Sequence, residues 1–247
     1  MRAGGPRMGP SGRTAARILV AALAGLPALP AEAQTIRPVI VEYEKGRAQG
    51  RFELVNEGLT PLNVVLEPQS FDITEAGEPV YRPLDSRIHL RLSAMSIRIP
   101  AKQTRFIFYE ASADSLPAWF VIPCTFSGLP ARDGVEVRVE LPHTVYLVQK
   151  DRLEQSDIEI VDATLNAAKH VVEVDIRNHG SRLGRAIEAE AIGGRRHERQ
   201  PSFPMAPNAR RLLQIPWPSD ESPSRVVVRF HGFTVERSLS EAVQTEG

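Results

Sequence analysis

The 247-residue chain holds a single cysteine, Cys124, which excludes an intramolecular disulfide and any cysteine-based zinc cluster. It has no excess charge either. Thirty basic against thirty acidic side chains leave no basic stripe to neutralise phosphates, so nucleic acid is not expected as a partner. Six histidines, His89, His143, His170, His179, His197 and His231, show neither His-x-His nor HExxH spacing, and no Gly-x-Ser-x-Gly occurs. Gly193-Gly194 lacks the glycine spacing, strand and helix of a phosphate cradle. Without convergent chemical groups the sequence points away from an enzyme: no catalytic residue, metal, cofactor or small-molecule substrate is expected. Helical spacing is scarce too, sustained beyond residue 34 only weakly around Asp151 to Asn166.

What is present begins with a leader. Arg2, Arg7, Arg13 and Arg17 precede any acid, the apolar run Ile18 to Leu29 follows, and Ala31-Glu32-Ala33 supplies small residues before a cut. That order is a secretory signal peptide, residues 1–33, and the run is too short to span a bilayer. Cleavage after Ala33 would make Gln34 the first residue and leave 26 basic against 29 acidic side chains, a net charge of −3. Cys124 then stands in an oxidising compartment within Phe120-Val121-Ile122-Pro123-Cys124, and a buried, inert thiol is expected.

Beyond the leader, alternation dominates and predicts an all-β chain with frequent turns. Strands are expected at 51–56, 62–67, 88–92, 105–109 and 119–122, each short and bounded by turn residues. The longest pattern runs from Val135 to Leu147, with Val135, Val137, Val139, Leu141, His143, Val145 and Leu147 on one face. At about twice the usual strand length, part of that apolar face is expected to be open to a partner. His143 on this face reads as a satisfied, half-buried ring.

The second half repeats the grammar of the first. Val172 to Gly180 echoes Phe52 to Gly58, alternation followed by Asn-x-Gly. Pro207-Asn208-Ala209-Arg210 before Leu212 echoes Pro100 to Arg105 before Phe106, and Ser222-Pro223 before Val226 echoes Ser115-Leu116-Pro117 before Trp119. Three matches in one order predict two immunoglobulin-like β-sandwich domains in tandem, residues 34–150 and 151–240, with a tail at 241–247. Residues 193–199 read as a polar loop.

These residues resemble the N-terminal domain of the PapD-like periplasmic pilus chaperones across most of 36–148. The matching features are Gly46, Asn56-Glu57-Gly58 before Pro61 to Val64, Pro100 to Phe106, Ser115 to Phe120, and the final strand ending Leu141 to Leu147. The resemblance implies a boomerang-like periplasmic chaperone that lends a strand to an incomplete pilin-like subunit and delivers it to an outer-membrane usher. On that account Val135, Val137, Val139 and Leu141 enter the subunit, and Pro142 interrupts pairing on one side. The family holds the subunit's terminal carboxylate with an Arg and a Lys in the cleft. Here Ile40 and Tyr146 occupy those positions, which makes Arg37, Tyr146 and Lys150 the cleft candidates. The other reading is a non-enzymatic structural or binding module of the cell envelope, in which the long apolar face is buried entirely.

Overall fold

The structure, a computed structural model, describes residues 34–44, 46–128 and 137–239. The expected signal peptide, the tail and Val135 lie outside them. Eighteen strands and one 3₁₀ turn make up four sheets among these residues. The first sheet orders β1 (Gln34–Arg37), β3 (Arg47–Asn56), β9 (Thr104–Ala113) and β7 (Ile88–Leu92). The second runs β2 (Ile40–Glu44), β11 (Val139–Val148), β10 (Ala118–Ser127), β4 (Leu62–Leu66) and β8 (Ser96–Ile99). A hairpin of β5 (Gln69–Ile73) and β6 (Pro79–Pro83) is attached to β10. The third holds β12 (Ile158–Asn166), β13 (Val171–Asn178) and β16 (Arg210–Pro216). The fourth holds β15 (Arg196–Met205), β14 (Gly184–Gly193), β17 (Arg225–Phe230) and β18 (Thr234–Ser238).

Alternation explains these strands. Leu62, Val64 and Leu66 of β4 are buried while Asn63 and Val65 face out, and each inward aliphatic side chain contributes about 1.5–3 kcal/mol of burial. One core draws on the first two sheets, from Ile36 to Leu147, and another on the last two, from Ile158 to Val235. A small apolar cluster of Phe71, Val121 and Tyr146 with Leu183 connects the two.

The repeated Asn-x-Gly does the same work in both. Asn56 Nδ2 donates to the carbonyls of Thr60, Ile99 and Pro100, and its Oδ1 accepts from the Gly58 N–H. Asn178 Nδ2 donates to Arg182, Met205 and Ala206, and its Oδ1 accepts from Gly180. Both asparagines are fully buried. Lys102 and Asn208, at φ near +55–60°, make equivalent turns that bond back to Gly58 and Gly180.

Prolines in central strands also have a place. Pro123 and Pro142 face each other across β10 and β11. Val121 of β10 pairs with β5 and Cys124 with β4, so Pro123, which has no N–H, sits where the partner changes.

Two expectations are corrected. The weakly helical stretch 151–166 holds only the 3₁₀ turn Gln155–Asp157 and then strand β12. A bulge between Ile160 and Asp162 shifts the buried phase, so Ile158, Ile160 and Ala163 share the core and strict alternation is lost. The polar loop at 193–199 is a tight turn at Gly194-Arg195 whose flanks continue the β14–β15 hairpin. As an edge strand reaching past the core, β15 has no apolar face there for a pattern to reveal.

Candidate functional site

Strand β11 pairs along its whole length with β10 but meets β2 only from Thr144 to Val148. The first bond on that side runs from the Thr144 N–H to the Val39 carbonyl, 2.7 Å. Backbone groups alternate sides along a strand, so Glu140 and Pro142 also point to this edge, where no described strand meets them. Pro142 offers a carbonyl but no donor. Val139 and Leu141, the odd-numbered neighbours, are half-buried and pack against the margin of the first core. Val137 is half-buried but precedes the regular strand, which among the described residues begins at Val139.

The transition from open to paired edge lies at His143, which is fully buried rather than half-buried and stacks on Phe52 at 4.4 Å. Its Nδ1 lies 2.7 Å from the Pro38 carbonyl and its Nε2 3.2 Å from the Tyr109 hydroxyl, itself 3.0 Å from the Tyr43 hydroxyl. A carbonyl only accepts, so Nδ1 carries the proton. Nε2 then accepts from Tyr109, and Tyr109 from Tyr43. Burial lowers the imidazole pKa to about 4 and outweighs the Pro38 hydrogen bond, which keeps the ring neutral at pH 7. Burial likewise raises the Tyr109 hydroxyl. Gly50 leaves room for this chain, since a Cβ there would collide with both tyrosines. Cys124 is buried and free, its thiol pushed up to about 12 by desolvation, the inert state expected of it.

Past His143 the other face of β11 carries Tyr146, 4% exposed, against Phe71, Val121 and Leu183. Arg185 of β14 lies 5.1 Å over its ring and forms a 2.6 Å ion pair with Glu42. Together they border a cavity of about 280 Å³ lined also by Val148, Arg152 and Phe230. Arg211 of β16, only 9% exposed, stands 5.7 Å over Phe203 and reaches the Thr74 carbonyl at 3.4 Å. No carboxylate of the described residues pairs with it, and desolvation lowers its pKa. Arg185 Nη2 and Arg211 Nε are both buried without a hydrogen-bond partner. Neither arginine was among the sequence candidates, because nothing in the pattern of β14 or β16 tells which distant strand they approach.

The three cleft candidates are not brought together. Arg37 is exposed on the outward side of the first sheet, opposite Glu53, since its neighbour Ile36 points into the core. Tyr146 is on the second sheet, and Lys150 is exposed in the loop after β11. Among the described residues no group of three His, Cys, Asp or Glu side chains is placed to hold a metal ion. No described helix is long and apolar enough to cross a membrane.

No family model matches the chain, and no curated protein matches its sequence. Solved structures do match. The YadV chaperone aligns with a TM-score of 0.53 at 11% identity, covering 83% of this chain and 99% of that one. A chain from the Salmonella enterica SafA pilin–SafB chaperone complex gives 0.55 at 11%, covering 86% and 99%. The E. coli chaperone DraB gives 0.52 at 11%, covering 85% and 98%. The chain therefore has a chaperone-like, all-β fold of immunoglobulin-like sandwich type.

Proposed function

We propose that the protein is a periplasmic chaperone that caps a pilin-like subunit by strand donation, with residues 34–150 as the strand-donating domain and 151–240 as the second. The observation that carries this reading is the open edge of β11 beside half-buried Val139 and Leu141. A subunit lacking a strand exposes backbone donors and acceptors above an apolar groove. Glu140 and Pro142 supply matching edge groups, and Val139 and Leu141, with Val137 and Val135 before them, fill alternate pockets. Hand-over to an outer-membrane usher belongs to the same reading. In place of the Arg–Lys pair, the subunit's terminal carboxylate would meet Tyr146 with Arg185 and Arg211, whose buried nitrogens lack partners.

The test is retention of a partner from the periplasm by the tagged protein beside two variants. Val139→Asp places a charge where an apolar groove must receive it, at a cost of several kcal/mol. Glu140→Pro removes the remaining edge N–H without touching the β10 ladder, because even-numbered residues face away from β10. A small β-rich partner kept by the wild type and lost from both folded variants is expected. Folded variants that keep the partner would return the protein to the structural-module reading.

A further inference from the structure

The outward face of the first sheet sets two exposed aromatic rings among arginines. Phe106 and Phe108 stand there two residues apart on β9, 47% and 54% exposed. Arg51 of β3 lies opposite Phe108 and 5.2 Å over the ring of Phe106. Arg37, Arg47 and Arg91 occupy further outward positions, against two acids, Glu53 and Glu110. Of these four arginines only Arg91 has a carboxylate of the described residues within 4.0 Å, Glu110 at 3.8 Å, with both side chains largely exposed. On the fourth sheet, by contrast, Arg196, Arg199, Arg225 and Arg229 all have carboxylate partners. A chain with equal numbers of basic and acidic residues thus concentrates uncompensated positive charge around two solvent-facing aromatics.

We infer that this face is a second interaction surface, and that its occupant is an acidic protein segment presenting carboxylates around an apolar or aromatic side chain. Arginine and aromatic residues are the side chains that anchor protein interfaces, and here they are already stacked on one another. The charge selects the partner: carboxylates complete the unpaired guanidinium groups, and the phenylalanines need an apolar cover. Single-stranded nucleic acid also uses arginine and stacking, but four arginines offset by two acids make a poor phosphate track. The surface belongs to β1–β3–β9–β7 and β11 to the other sheet, so occupancy of one does not consume the other. The inference therefore stands whether or not β11 donates a strand.

The purified chain is offered a bead-displayed library of short random peptides, with no partner presupposed. Enrichment of acidic peptides carrying an aromatic or leucine side chain is expected, with binding that weakens as salt rises. Affinity for an enriched peptide should fall about tenfold or more in Phe106→Ser/Phe108→Ser and in Arg47→Gln/Arg51→Gln. All four substitutions point away from the core, and circular dichroism verifies that both variants are folded. The inference is overturned if neutral peptides are selected equally, if nothing is selected, or if the folded variants bind as the wild type does. Displacement of the peptide by oligothymidylate at lower concentration would assign the face to nucleic acid instead. A wild-type dimer in sedimentation that dissociates in Phe106→Ser/Phe108→Ser would assign it to a second copy of the chain.

Discussion

Replacing Asn56 by alanine removes one side chain that closes three strand ends at once. Its Nδ2 serves the carbonyls of Thr60, Ile99 and Pro100 at 2.9–3.1 Å, and its Oδ1 takes the Gly58 N–H at 3.0 Å. The bonds to Ile99 and Gly58 are buried, so alanine leaves polar groups there that water does not reach. Each such group costs about 1–3 kcal/mol, and the outer two bonds contribute less because solvent replaces them in part. A loss of about 3–4 kcal/mol follows, read as a shift of the urea midpoint at unchanged slope. Asn56→Asp should be no milder, since a carboxylate there faces three carbonyl oxygens. Asn178→Ala should cost a similar amount, because it breaks the matching set in the other core. A loss below about 1 kcal/mol for Asn56→Ala would refute the account of the motif as the internal tie of each sandwich.

Three more outcomes are expected. The His143 pKa is depressed from 6.5 to about 4, so the unfolded chain takes up a proton before the folded one does. Stability from the neutral ring is present above about pH 6.5 and is lost as pH falls towards 4, about 3 kcal/mol in all, and urea titrations of His143→Gln should show a flatter dependence of stability on pH over that window. Gly50→Ala pushes a methyl group into the Tyr43 and Tyr109 hydroxyls and should lower the thermal midpoint by the equivalent of about 1–3 kcal/mol; an unchanged midpoint would show that the tyrosine chain yields freely. Arg211→Met removes a buried cation that has no carboxylate partner, and should leave stability unchanged or raise it by about 1–2 kcal/mol, whereas a clear loss would show that the guanidinium contacts on Phe203 and Thr74 outweigh its desolvation.

What the sequence determined by itself was local. Period-two alternation wrote β3, β4, β7 and β13 into the chain, because one side of each strand had to be apolar to meet a core, while β9 and β10 were legible as continuous β-rich apolar runs. The Asn-x-Gly repeats at 56–58 and 178–180 were legible because the side chain bonds within its own turn before it reaches other strands. Where the core is absent, as in β15, or a bulge shifts the phase, as in β12, the pattern failed. The site was only half legible: Val139 and Leu141 could be assigned to a face, but the open edge could not, because it depends on where β2 stops pairing a hundred residues away in the chain. Only tertiary structure decided that Arg37 turns outward with Ile36 inward, that Tyr146 is buried under Arg185, and that Arg211 is enclosed without a carboxylate partner among the described residues. Those are meetings of residues distant in sequence, fixed by strand register and by the approach of one pair of sheets to the other, and no local periodicity carries them.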